Sequence, residues 1–232
     1  MSYRFALLLG SLMASFAFAL PQAFALPQAY VTNEKDNTLS VIDMTTFDVV
    51  ETIEVGERPR GFILSADQSH AYICASDADR IQIMDLSTHS IVGDLPSGAD
   101  PETIALHPNG TTIYTANEDD ALLTVIDIPT AQVISQIDVG VEPEGLAVSH
   151  DGSMMVVTSE TTNMVHWIDT QTHENIANSL VDARPRDAHF TRDDKYLWVS
   201  SEIGGTVSIF DTATKQKVKT LSFAIKGVYR DK

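Results

Sequence analysis

The chain has 232 residues, of which 32 are Asp or Glu and 15 are Lys or Arg, for a formal charge of −17. That balance argues against nucleic acid and anionic lipid surfaces as partners and leaves cations or basic proteins. A hydrophobic fraction of 44% is ordinary for a globular protein, and the single cysteine, Cys74, lies in an apolar run, so no internal disulfide can form.

Residues 1–25 have the anatomy of a secretory signal peptide: Arg4, an apolar stretch from Phe5 to Leu20, then Ala23-Phe24-Ala25 as a cleavage site, with Ala19 as a second one. The apolar run is short and closed by Pro21, which argues against a membrane helix, so no span is expected after cleavage. The expected destination is the periplasm, with full secretion as the alternative. Residues 26–232 form the second unit.

That unit repeats with a period of 42. Asp recurs at Asp43, Asp85, Asp127, Asp169 and Asp211, and Thr three places later at Thr46, Thr88, Thr130, Thr172 and Thr214. Pro recurs at Pro59, Pro101, Pro143 and Pro185. Within one copy, Gly61–Ser65, Ala71–Ala75, Arg80–Asp85 and Ile91–Leu95 read as four short strands rich in β-branched residues and separated by turn formers. No window shows helical periodicity. A four-stranded antiparallel unit at this spacing is the pattern of a β-propeller blade, which buries its faces by stacking on its neighbours. The fold class is therefore all-β, with four full blades and one partial blade starting at Ala29.

Small residues (Gly61, Ala105, Gly145, Ala147, Ala188) mark the innermost strand, where blades crowd at the axis. Phe62, Leu64, Ile104, Leu106, Leu146, Val148 and Phe190 are expected between the sheets. Each Asp-x-x-Thr reads as structural, the carboxylate accepting backbone N–H groups of the turn and the Thr hydroxyl bonding across it. The Asn or Asp at 67, 109, 151 and 193 marks the preceding turn. No innermost strand follows Phe223 to close a ring, so the chain is expected either to continue or to close with a partner.

The residues resemble a known family. Tyr30-Val31-Thr32-Asn33 is the tetrapeptide of the YVTN-type β-propeller repeat, and the blade pattern matches over 29–223. Loop stretches such as Ala116-Asn117-Glu118-Asp119-Asp120, Gly140-Val141-Glu142-Pro143-Glu144-Gly145 and Ser200-Ser201-Glu202-Ile203-Gly204-Gly205-Thr206 resemble the exported propellers found beside pyrroloquinoline-quinone-dependent alcohol oxidation systems. That resemblance implies a seven-bladed ring, a periplasmic location and an accessory role beside a quinoprotein dehydrogenase or a c-type cytochrome. It brings no established activity.

Because strands alternate in direction, the loops after the second and fourth strands share one face. It carries Glu34, Glu118, Glu160 and Glu202 together with the residues flanking each repeat Pro: Arg58 and Arg60, Asp100 and Glu102, Glu142 and Glu144, Arg184 and Arg186. These are expected to rim the axial channel, either as a binding rim or as charges balancing one another between blades. The Arg forks suit a carboxylate or phosphate, and the acidic arc suits a cation or a basic protein such as a cytochrome. His70, His107 and His150 fall on the opposite face, His89 and His173 in outer loops. His189, near Asp187, is expected to face the channel with the rim set. No zinc, haem-attachment, nucleophile-elbow or phosphate-loop motif occurs, so neither a catalytic residue, a metal nor a cofactor is assigned. The reading is a non-enzymatic binding scaffold. The alternatives are a propeller enzyme of lactonase or hydrolase type, or a cofactor carrier resembling the haem d1 domain of nitrite reductases.

Overall fold

The computed structural model describes residues 27–223; the predicted signal segment lies outside them. Nineteen strands form five antiparallel sheets. The first holds β1 (Gln28–Asn33), β2 (Thr38–Asp43) and β3 (Val49–Glu54). The second holds β4 (Pro59–Leu64), β5 (His70–Ala75), β6 (Arg80–Asp85) and β7 (Ser90–Pro96), and the third β8 (Pro101–Leu106), β9 (Thr112–Asn117), β10 (Leu122–Asp127) and β11 (Gln132–Asp138). The fourth holds β12 (Pro143–Val148), β13 (Met154–Ser159), β14 (Met164–Asp169) and β15 (Glu174–Leu180). The fifth holds β16 (Pro185–Phe190), β17 (Tyr196–Ser201), β18 (Thr206–Asp211) and β19 (Gln216–Ser222). One short 3₁₀ turn, Ser76–Ala78, is the sole helical element among the described residues.

Every sheet is a meander, and each repeats the same local devices. The ladder between the last two strands slips by one residue between Val41 and Ile42, Ile83 and Met84, Val125 and Ile126, Trp167 and Ile168, and Ile209 and Phe210. A bulge at one fixed register adds the same twist to every blade. The Asp-x-x-Thr turn behaves as expected: Asp85 Oδ1 accepts the N–H groups of Ser87 at 2.8 Å and Thr88 at 2.9 Å, and Asp169 those of Gln171 and Thr172, both at 2.9 Å. The residue four places after each Asp adopts positive φ, from Phe47 through His89, Ala131 and His173 to Lys215. The carboxylate stabilises a turn that a non-glycine side chain otherwise disfavours.

Four apolar clusters fill the four gaps between successive sheets. Leu39, Val41 and Met84 lie in the first, Cys74, Ile81 and Ile126 in the second, Leu123, Met155 and Ile168 in the third, and Trp167, Val199 and Phe210 in the fourth. Trp167 meets Phe210 edge-on at 6.0 Å and donates its indole N–H to Ser179 Oγ at 3.0 Å. The first strands of sheets two to five pack on one another in succession. Gly145 is required there, because a Cβ would meet Arg186 O at 2.7 Å and Asp187 Cα at 2.8 Å on the next blade. Cys74 is the expected inert thiol, wholly buried, with burial pushing its pKa up to about 12.

Candidate functional site

The site is built by the turn that enters each innermost strand. Arg58, Asp100, Glu142 and Arg184, each just before a repeat Pro, all have positive φ, between 49° and 59°. Their carbonyls accept the N–H groups of Ser76 (3.2 Å), Glu118 (2.9 Å), Glu160 (2.9 Å) and Glu202 (2.8 Å), which follow the second strands. The N–H groups of Arg58, Asp100 and Arg184 go to Asn37, Asp79 and Asn163 side chains at 2.9–3.0 Å; the corresponding position before Glu142 is Ala121, which has no such acceptor. This clamp fixes the residues on either side of each Pro and aims them at one mouth of the axis.

At that mouth the charges pair in sequence around the arc. Arg58 reaches Glu34 of the first sheet at 3.1 Å, and Asp100 and Glu102 of the third sheet at 2.7 Å each. Arg60 pairs with Glu34 at 3.1 Å and with Glu102, and approaches Glu144 at 3.7 Å. Arg186 takes Glu144 from the other side at 2.9 Å and also Glu160, while Arg184 binds Glu160 at 2.8 Å and approaches Glu202 at 3.5 Å. Glu144 thus joins the two arginine pairs into one network spanning all five sheets. Asp77, 3.7 Å from Arg58, is a member that the sequence reading did not single out.

The network is not the solvated fringe that surface charges usually make. Glu102, Glu144 and Glu160 are 1%, 6% and 7% exposed. Burial pushes the Glu102 carboxyl up to about 8, opposed by Arg60 and reinforced by its contact with Glu118. Burial also raises Glu144, whereas Glu34, hydrogen-bonded by Arg60 and Arg58, is lowered. Burial works against the Arg60 charge, but Glu102 and Glu34 more than restore it and its pKa is raised. The arginine forks expected to take a free carboxylate or phosphate therefore already hold the protein's own carboxylates. Four guanidinium groups face seven carboxyl groups, and with Glu102 set aside as protonated at neutral pH the acidic groups still outnumber the arginines. Oxygens of Asp100, Glu102 and Glu118 lie within 4.8 Å of one another and could together hold a cation. The Arg58 guanidinium already supplies positive charge to Asp100 and Glu102.

Three expected residues sit differently from the rest. Glu142 is turned to Thr161, from whose hydroxyl it accepts a hydrogen bond, and pairs with no arginine among the described residues. Glu118 contacts Glu102 rather than a cation. His189 does not belong to the rim: β16 begins at the mouth with Pro185, and His189 lies four residues further along, its Nε2 2.9 Å from Asp187. There it lines a cavity of about 320 Å³ with Ile63, Ala105, Ala147 and His150.

His166 is a site residue that the motif search missed. It is 4% exposed; its Nε2 accepts the Gly140 N–H at 2.9 Å, which places the proton on Nδ1, directed at Asn178 Oδ1 at 2.7 Å. Burial lowers its pKa. Gly140 lies in the loop leading to Glu142 and Glu144. The signal was in the register: two periods earlier Gln82 stands in the same place and accepts the Gly56 N–H at 2.7 Å.

Repeated four-stranded meanders stacked about an axis, with one charged mouth, make this an all-β protein of the propeller type. The chain belongs to the family described as a domain of unknown function (DUF5074), whose model matches residues 24–202. No curated protein matches it. Among solved structures it is similar to hydrazine synthase of Kuenenia stuttgartiensis, with a TM-score of 0.78 and 21% sequence identity over 87% of this chain. The match spans 64% of that chain, slightly less than two thirds of its length. At this identity the likeness is one of fold.

Proposed function

We propose that this protein is a non-enzymatic binding propeller whose charged axial mouth docks a basic protein. The carrying observation is the acidic excess at a mouth held rigid by its own ion-pair network. It is reinforced along the chain: between Arg80 and Arg184 there is no Lys or Arg, while sixteen Asp and Glu occur. Sheets three and four therefore present a one-sign sector beside the mouth. Such a field attracts a positively charged surface and speeds its encounter. The loop sequences resembling propellers of exported alcohol-oxidation systems suggest the setting, an accessory role in the periplasm beside a quinoprotein dehydrogenase or its c-type cytochrome acceptor.

The test is direct binding of a purified c-type cytochrome with a basic surface, followed by surface plasmon resonance across a salt series. The expected result is a dissociation constant that rises at least about ten-fold from about 20 to about 200 mM salt, as rim charges are screened. Affinity independent of salt, or none at low salt, would contradict the proposal.

A further inference from the structure

The interface between sheets three and four contains a cavity at the end opposite the charged mouth, and its chemistry is unrelated to the docking reading. It measures about 320 Å³, at the small end of ligand sites, and its walls include His107, Thr112, Tyr114, Asp151, Gln171 and His173. Tyr114 is 1% exposed, its ring packed in the core cluster between the two sheets, yet its hydroxyl makes no hydrogen bond among the described residues. Burial raises that phenol to about 12, so it remains an O–H donor. The hydroxyl is not one of the fully buried polar atoms left without a partner, so it opens onto the cavity, where it is free to donate to a bound molecule.

The repeat shows how this vacancy arises. Two periods earlier the same pair of positions holds Tyr30 and His89, and there the gap is closed: Tyr30 Oη lies 3.5 Å from His89 Nε2, and Glu51 holds the other ring nitrogen at 2.6 Å. The counterparts are Tyr114 and His173, but the position of the Glu51 anchor is taken by Ser135. Ser135 is too short to reach as Glu51 does, no hydrogen bond joins Tyr114 to His173, and a cavity separates what the earlier copy brings together.

We propose that this cavity binds a small neutral polyhydroxylated molecule of about monosaccharide size. Its lining offers a donor in Tyr114, an acceptor in Asp151, and groups of either sense in Gln171, His173 and Thr112. Asp151 Oδ1 is engaged by Ser149 and Ser153, which leaves Oδ2 without a hydrogen-bond partner among the described residues. His107 is fixed, with Nδ1 accepting the Asn109 N–H at 3.0 Å and Nε2–H directed at Gly152 O at 2.9 Å, so it shapes the wall. Hydroxyl groups both donate and accept and can satisfy every one of the open groups. An anion would meet Asp151 with no cation on the lining, and an ammonium group would leave the Tyr114 proton without an acceptor.

The test is protein-observed NMR of the full chain with D-glucose and xylitol, using tetramethylammonium and acetate as the cation and anion controls. Saturable shifts of the Gly152, Ser153 and Gln171 amides with a polyol, weakened about ten-fold in Tyr114→Phe, are expected for loss of one hydrogen bond. Ser135→Glu restores the anchor of the earlier copy and is expected to abolish the shifts with the fold intact. The proposal is overturned by no saturable shift with either polyol up to about 100 mM, by equal binding in both variants, or by shifts with tetramethylammonium alone.

Discussion

His166 and Gln82 show what a single residue decides here. Both occupy one register of the third strand and both accept the N–H of a glycine in the loop entering the next blade, Gly140 and Gly56. Only His166 titrates. Its folded pKa is lowered by burial, so the unfolded chain binds the proton more readily, and stability is lost as pH falls through the unfolded value near 6.5. The groups around the ring are Asn178 and Asn175 on β15, Ser159 on β13 and the Gly140 amide, none of them charged. His166→Gln should keep the Gly140 bond, as Gln82 does, and flatten urea stability between about pH 7 and pH 5. An unchanged pH slope in the variant would show that the acid loss originates elsewhere. Glu102 acts with the opposite sign: its pKa is raised by burial, so its contribution is present at low pH and declines as pH rises towards about 8. Arg60→Met removes the cation that Glu102 and Glu144 share, but Arg58 still holds Glu102 at 2.7 Å and Arg186 still holds Glu144 at 2.9 Å. The expected cost by urea unfolding is therefore about 1–2 kcal/mol, below that of a buried charge left without any partner. A loss of only about 0.5 kcal/mol would place the network among surface pairs.

At the scale of the element, the legible features were those that a period exposes. Asp85 and Thr88 announced their turn because carboxylate and hydroxyl are the groups that bond it, and Gly61 and Gly145 announced the crowded axis because nothing larger fits. The pairing at the mouth was less legible. The sequence placed Arg58, Arg60, Glu102 and Glu144 on one face, but spacing carries no information on whether an arginine fork meets solvent or the carboxylate one blade away. His189 faces the axis as expected, among residues of the other innermost strands, but strand rise along β16 carries it away from the rim that Arg186 joins. Gly145→Ala tests the close approach of sheets four and five. The added Cβ meets backbone atoms that cannot rotate away, so the expected cost is about 1–3 kcal/mol with a matching drop in thermal midpoint. A neutral result would mean that the two blades separate more easily than their packing implies.

For the whole molecule, a 42-residue period was sufficient to read the propeller architecture, and five stacked sheets of the same design bear it out. Function was not legible in the same way, because the repeat positions that hold the scaffold are shared by every blade, and the positions that differ are charges whose partners only the folded arc brings together. The resulting molecule has one rigid acidic mouth flanked by a sector without Lys or Arg. On the proposed function this mouth, and not the opposite end, meets the partner. The most direct measurement is cytochrome affinity for the triple variant Glu118→Gln, Glu142→Gln, Glu202→Gln beside the variant Glu174→Gln, an exposed carboxylate that opens β15 at the other end. None of the three rim glutamates is among the buried carboxylates of the network, so the fold should persist. Affinity reduced about ten-fold or more in the triple variant and unchanged in Glu174→Gln is the predicted result. Equal affinity for the triple variant and the unaltered protein would contradict it.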